Sequence, residues 1–309
     1  MLDPACGTGG FLVEVYTHLE KQCQTIADRR TLQEQSLFGG EAKPLPFLLC
    51  QMNLLLHGLE APQIDPENSL RGKLTEIGDQ ERVDVILTNP PFGGEEEAGI
   101  KANFSADMQT GETALLFLQL IMRRLRRPGR GSERGGRAAV VVPNGALFGD
   151  GVSARIKEQL LREFNLHTVV RLPNGVLAPY TSIPTNVLFF DRSGPTKETW
   201  FYELALPEGR KNYTKTQPMQ FDEFKDCVAW WPKREENGRA WRVRAEEILK
   251  YNGSGQLVSA NLDLKNPNAA EALEHLPPEQ LADDILRKER RIIEILEEIK
   301  FVLARESRS

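Results

Sequence analysis

Residues 83–88 (VDVILT) run directly into Asn89, Pro90, Pro91 and Phe92. A short, near-continuous apolar run of this kind is the pattern of a parallel strand buried on both faces. Such a strand needs parallel neighbours and helices above and below it. The chain supplies both. A strand ending spans residues 1–3, and a glycine-rich turn leads into a helical stretch over residues 11–26. Residues 36–41 read as a short strand with a turn. Residues 44–58 read as a helix, with proline near its start and glycine at its end. Residues 114–125 and 152–164 are further helices, and residues 137–143, 166–172 and 185–191 are further strands. The alternation predicts βαβ units, and hence an α/β, doubly wound, Rossmann-like sheet.

This rhythm predicts one α/β domain over residues 1–195. From residue 196 the texture changes: Trp200, Trp230, Trp231 and Trp241 stand among charged residues. A small appended region is expected over residues 196–260, followed by a tail over 261–309. The tail carries a highly charged helix in which Ile285, Ile292, Leu296, Ile299 and Leu303 form a narrow apolar seam, interrupted by Glu289. A seam of that width suits a partner helix better than the broad face of a core. Residues 123–137 are rich in arginine; a solvated loop after a helix is the first reading, and phosphate contact the second.

Composition narrows the functional class. No apolar run reaches the roughly 18–20 residues of a membrane span. Asp3 and the glycines after it occupy the place of a signal sequence's apolar stretch, so a cytoplasmic location is expected. Cys6, Cys23, Cys50 and Cys227 are scattered, and neither they nor the four histidines show ligand spacing, so no metal is expected. The net charge of −5 suggests that any grip on nucleic acid is shared with a partner.

Two corners carry the chemistry. The first, DPACGTGGF, follows the opening strand, where open α/β sheets bind ligands. It is not a dinucleotide fingerprint, because Leu12 fills the third glycine position, and no G-K-[ST] follows to make a P-loop. Asp3 can accept from an ammonium, and Glu41, ending the second strand, from a ribose diol. A ligand with a sugar, an amino group and no phosphate is S-adenosylmethionine. The competing reading of Glu41 is a helix N-terminal acid ahead of Pro44.

The second corner begins at Asn89. Proline has no N–H, so Pro90 and Pro91 remove two donors. The Asn89 side-chain oxygen and the Pro90 carbonyl remain as acceptors, fit for an exocyclic amino group. Phe92 offers a face for stacking a base, and Gly93 and Gly94 leave room. An aromatic amine is a poor nucleophile, and two acceptors stabilise the positive charge that develops as it attacks a methyl group. Glu95 to Glu97 argue against phosphate contact beside this corner. A plain strand-ending turn is the competing reading, since Asn-Pro is a common turn starter.

Together the corners resemble those of the amino-group DNA methyltransferases. FGGEAKPLPFLLCQMNLLLHGLE, AAVVVPNGALFGDG, RLPNGVLAPYTSIPTNVLFF and NLDLKNP are similar, more narrowly, to the modification subunits of type I restriction–modification systems. The resemblance covers nearly the whole chain. It implies a seven-stranded S-adenosylmethionine-dependent methyltransferase sheet with the last strand antiparallel, and adenine-N6 methylation of a base flipped out of DNA. It implies a cofactor site at Asp3, Ala5, Gly7, Thr8, Gly9, Gly10, Phe11 and Glu41, with Asn68 and Leu70 near the adenine ring. Asn89, Pro90, Pro91 and Phe92 match the catalytic tetrapeptide. Leu177 stands where relatives place a second face against the base, with Tyr180 as the alternative; a structural proline-rich loop accounts for both equally well. The implied partners are DNA and a specificity subunit, bound through the C-terminal helix. A second modification subunit and a restriction subunit are further candidates.

Family members also carry an N-terminal helical domain and another cofactor-pocket motif ahead of the first strand. The chain is therefore expected to be a fragment or a short form. A catalytically incomplete assembly subunit stays open as an alternative. So does protein glutamine-N5 methylation, although that activity would favour tyrosine at Phe92 and would not need the long C-terminal region.

Overall fold

The structure, a computed structural model, describes residues 1–93, 96, 99–129, 135–268, 285–290, 292–293 and 295–296. It comprises two units, Met1–Asn268 and Ala269–Ser309. In the first unit the strands are β1 (Leu2–Asp3), β2 (Phe38–Gly40), β3 (Gln63–Asp65), β4 (Val85–Thr88), β5 (Arg137–Pro143), β6 (Asn165–Arg171), β7 (Thr185–Asp191), β8 (Glu198–Glu203) and β9 (Ala240–Arg244). They form one sheet in the order β3-β2-β1-β4-β5-β7-β6-β8-β9. Strands β1 to β6 run parallel, and β7 lies antiparallel between β5 and β6. The first seven strands are the expected methyltransferase sheet.

Helices α1 (Gly10–Glu20), α2 (Ile26–Gln35) and α3 (Pro44–Leu56) share one core cluster, built from Leu12, Tyr16, Leu32, Cys50, Leu54 and Ile64. Helices α4 (Thr113–Arg124) and α5 (Val152–Glu163) pack into the main core around Ile86, Leu118, Val140, Ile156 and Phe190. The single helical stretch expected over residues 11–26 is two helices instead. Thr25 starts the second: its hydroxyl accepts from the Asp28 N–H, and Asp28 accepts from the Thr25 N–H in return. α2 buries only Leu32, so it lacks the apolar stripe by which a helix is recognised. On α3, Cys50 and Leu54 are buried while Leu45, Leu48, Met52, Leu55 and Leu56 are exposed.

The stretch expected as a small appended region extends the main sheet. β8 pairs parallel to β6, and β9 antiparallel to β8. β9 is the edge strand, with Trp241 and Val243 buried and Arg242 and Arg244 exposed in alternation, and β8 lies between it and β6. Phe201 and Trp241 enter the main core and stack with ring centroids 5.2 Å apart, while Arg242 pairs with Glu198 on the exposed side. Residues 261–268, expected in the tail, also belong to this unit: Leu262 is buried, and its N–H donates to the Leu147 carbonyl at 2.7 Å. A separate hairpin, β10 (Leu249–Tyr251) with β11 (Leu257–Ala260), precedes them.

The described part of the arginine tract lies at the wrong rim for phosphate contact beside the Asn89 corner. α4 runs back across the sheet, so residues 123–129 and 135–137 meet the start of β4, where the Arg126 N–H donates to the Val83 carbonyl. Arg123 donates to the carbonyls of Leu74 and Ile77, and Arg126 pairs with Asp84 at 2.7 Å. Residues 130–134 of the tract lie outside the described residues, as do residues 94, 95, 97 and 98 of the glycine and acid run after Phe92.

In the second unit residues 285–290, 292–293 and 295–296 are helical, and Ile285, Leu286, Ile292, Ile293, Ile295 and Leu296 are exposed. Ile299 and Leu303 of the expected seam lie outside the described residues. Among the described residues no helix is long and apolar enough to cross a membrane.

If β8 and β9 are integral to the sheet, Trp241→Ala lowers the stability of the main urea transition by about 3–5 kcal/mol. An unchanged main transition, with only a small separate one displaced, would show an independent appendage.

Candidate active site

Parallel strands that lie side by side bring their carboxyl ends to one rim. Here β3, β2, β1 and β4 are consecutive in the sheet, and Leu2 is in register with both Phe38 and Ile86. Asp3, Gly40, Asp65 and Thr88 therefore end their strands on the same side, and both sequence corners open there.

The first corner is built by glycine. Gly7 and Gly9 have φ values of 56° and 83°, in the left-handed region that other residues avoid. A Cβ on Gly9 would also stand 2.8 Å from Cys50 Sγ. Gly9 caps α1, and Gly10 and Phe11, both exposed, open its first turn, where N–H groups have no intrahelical partner. A Cβ placed on Gly7 or Gly10 would enter open space, which leaves the turn's outer side free for a ligand. The exposed Thr8 is held from behind, because Asn53 on α3 donates to its carbonyl at 2.9 Å.

Two acids support this turn. Glu41 Oε2 accepts from the Gly7 N–H at 3.1 Å, and Oε1 accepts from the Lys43 N–H at 2.8 Å. Glu41 thus fills the helix-start role and reaches the glycine turn as well. Asp3 is only 1% exposed, and its Oδ1 accepts from the Ala5 N–H at 3.1 Å. Burial pushes its carboxyl up to about 7, against the downward pull of the Thr88 hydroxyl and the Ala5 N–H; Glu41 raises it further. Asp3 is therefore an interior support of the turn rather than an open acceptor.

The third-strand residues divide. Asn68 is half-buried at the rim: its Oδ1 accepts from the Leu70 N–H at 3.0 Å, and its Nδ2 donates to Glu96 at 3.1 Å. Glu96 follows the Asn89 corner, so this contact ties the turn after β3 to that corner. Leu70 is buried in a cluster with Ile77, Phe104 and Leu116, with Ala5 packed against it; its place is in the core. Ser69 donates to the Pro4 carbonyl at 2.7 Å.

At the second corner Asn89 and Pro91 are exposed, Pro90 is buried and Phe92 is half-buried. The buried proline fixes the backbone, and the asparagine beside it faces solvent. Residues 172–184 join β6 to β7 on this same rim. Leu177 is half-buried, while Tyr180 is 92% exposed.

Sequence reasoning missed Asn53, Ser69, Thr88 and Glu96. Asn53 alone left a signal: it interrupts the apolar run of α3. A cavity of about 580 Å³ opens between α4 and strands β1 to β3. It reaches Gly40, Asp65, Asn68 and Ser69 but none of Gly7, Glu41 or Asn89, so it borders the two corners without containing them. Among the described residues no cluster of three or more histidine, cysteine, aspartate or glutamate side chains could hold a metal ion.

Comparison with known proteins agrees with this geometry. The family model of the N-6 DNA methylases matches residues 1–262. The methylase subunit of the type I restriction enzyme EcoEI from Escherichia coli is 51% identical over 291 residues, 91% of this chain and 56% of its own length. A crystal structure described as a modification subunit of a type I restriction enzyme from Vibrio vulnificus superposes with a TM-score of 0.85 at 69% identity, over 89% of this chain and 57% of the other. A protein described as a class I S-adenosylmethionine-dependent methyltransferase from Listeria monocytogenes, 16% identical, shares the fold with a TM-score of 0.52, over 75% of this chain and 63% of its own. The chain spans about half the length of the curated relatives it matches. With the family model covering most of its length and the sheet, glycine turn and Asn89 corner in place, the chain belongs to the N-6 DNA methylase family.

Proposed function

We propose that this chain is the modification subunit of a type I restriction–modification system and methylates N6 of an adenine in DNA. The observation that carries the reading is the juxtaposition of the glycine turn and the Asn89 corner on adjacent parallel strands, with the turn after β3 joined to the first through Ser69 and Pro4 and to the second through Asn68 and Glu96. When bound, S-adenosylmethionine supplies an electrophilic sulfonium methyl. The open outer side of Gly7 and Gly10 and the nearby Glu41 suit its amino-acid and ribose portions. Asp3 would bias the site toward the ammonium from beneath the turn. Asn68 would border the adenine ring.

Asn89 performs the positioning of the substrate amine. Its side-chain oxygen and the Pro90 carbonyl accept the two N–H bonds, draw the nitrogen toward pyramidal geometry and stabilise its growing positive charge. Phe92 supplies a stacking face. The proton lost afterward passes to solvent at this exposed corner. DNA and a sequence-reading partner complete the assignment: the exposed apolar side chains between Ile285 and Leu296 suit a partner helix, and a specificity subunit is the proposed occupant.

The glycine turn and the Asn89 corner make separable contributions. Asn89→Ala should lower methyl incorporation into DNA by about 100-fold or more while binding of labelled S-adenosylmethionine persists. Undiminished transfer in that variant would remove Asn89 from the mechanism.

Asp3 adds a pH dependence. Its carboxyl titrates near 7 in the fold, above the unfolded value of 3.8, so folding takes up a proton. The stabilisation is complete below the unfolded value and is lost as pH rises through about 7. Asp3→Asn should flatten the fall in stability between about pH 4 and about pH 8, followed by urea denaturation. An identical slope in both proteins would contradict the burial of an ionisable Asp3.

A further inference from the structure

The NLDLKNP segment is bound into the rim, and its acid reaches both ends of one loop. The Asp263 N–H donates to Asn261 Oδ1 at 2.8 Å, and the neighbouring Leu262 is buried. The Asp263 carboxylate accepts from Arg171 Nη2 at 2.9 Å and from Asn144 Nδ2 at 3.1 Å. Arg171 is the last residue of β6, and the next N–H, of Leu172, donates to the Thr185 carbonyl. Asn144 follows β5; its N–H donates to the Pro184 carbonyl at 2.8 Å, and its Oδ1 accepts from Asn186 Nδ2 at 3.1 Å. One carboxylate thus holds the first foot of the loop 172–184 through Arg171 and the second through Asn144.

The anchorage matters because of where the loop stands. β5 is the sheet neighbour of β4, so the Asn144 corner lies beside the Asn89 corner on the same rim. Between its feet the loop presents Tyr180 and Ile183 to solvent. Its middle leans on Tyr213, whose N–H donates to the Asn174 carbonyl, and Gly175, at φ 80°, lets the chains approach: a Cβ there would stand 2.5 Å from the Tyr213 carbonyl oxygen. Without Asp263, the Arg171 guanidinium retains Glu203 at 3.6 Å, and Asn144 Nδ2 loses its acceptor.

We infer that Asp263 is a positioning residue that clamps both feet of the loop 172–184 and thereby holds that loop over the base-transfer corner. The inference rests on the proposed methyl transfer for its consequence, but the clamp can be read without it. Hydrogen exchange on the whole purified chain should show faster exchange, by about tenfold, at Leu172 and across residues 174–185 in Asp263→Ala, with β4 and the glycine turn unchanged. Asp263→Asn keeps the side-chain shape with only one acceptor oxygen and should give a smaller change at the same amides. Arg242→Ala, which removes a surface pair elsewhere on the sheet, should give none. In the complex with a specificity subunit acting on unmethylated genomic DNA, Asp263→Ala should raise the apparent KM for DNA by about tenfold with S-adenosylmethionine affinity retained. Altered loop exchange in a protein that transfers no methyl group would keep the clamp and refute the proposed function. Unchanged exchange over residues 172–185 in folded Asp263→Ala or Asp263→Asn would overturn the clamp, whatever the activity.

Discussion

The pairing of β1 with β4 is the contact on which the site depends. It sets Leu2 against Ile86 in parallel register, so the glycine turn after Asp3 and the corner at Asn89 leave the sheet from the same rim. An antiparallel partner would have sent one of them to the far side. The long return through α4 makes the parallel arrangement continue into β5, and it carries residues 123–129 and 135–137 of the arginine-rich segment to the opposite rim. One topological choice thus gathers the acceptors and removes a large block of positive charge from beside them.

The rim is organised more by support than by display. Asp3 lies in the interior and shapes the turn; Asn53 holds the turn from behind; Leu70 and Ala5 belong to a packed cluster below. Asn89, Thr8, Gly10 and Phe11 are among the exposed groups. This division lets a small number of exposed atoms be fixed by buried neighbours, which is what positioning a weak nucleophile against an electrophile requires. The Asn68–Glu96 contact extends the same logic from the turn after β3 to the segment beyond Asn89.

Much of this was legible in the chain. The apolar runs of β4, β5 and β7 carry their period openly, and Asn89-Pro90-Pro91-Phe92 can hardly continue a central strand. The DPACGTGGF turn was legible because glycine is needed where φ is positive, as at Gly7 and Gly9. What escaped notice had no local pattern. α2 is held by a capping box and one buried leucine, so it shows no stripe. β8 and β9 hide in a mixture of aromatic and charged residues: β9 is an edge strand with one wet face, and β8 beside it keeps Glu198 exposed. The setting of the buried Asp3 involves Thr88 and Glu41, which become its neighbours only after folding, and the Asp263 contacts with Asn144 and Arg171 close across more than ninety residues.

The central claim is that a single ligand can lie on the glycine turn and face Asn89. A crystal structure of the chain with S-adenosylmethionine tests it most directly. The account predicts the amino-acid end of the ligand on the Gly7–Gly10 turn, its ribose at Glu41 and its methyl directed toward the Asn89 side chain. A ligand seated instead in the cavity between α4 and β1 to β3, its methyl turned away from Asn89, would contradict it.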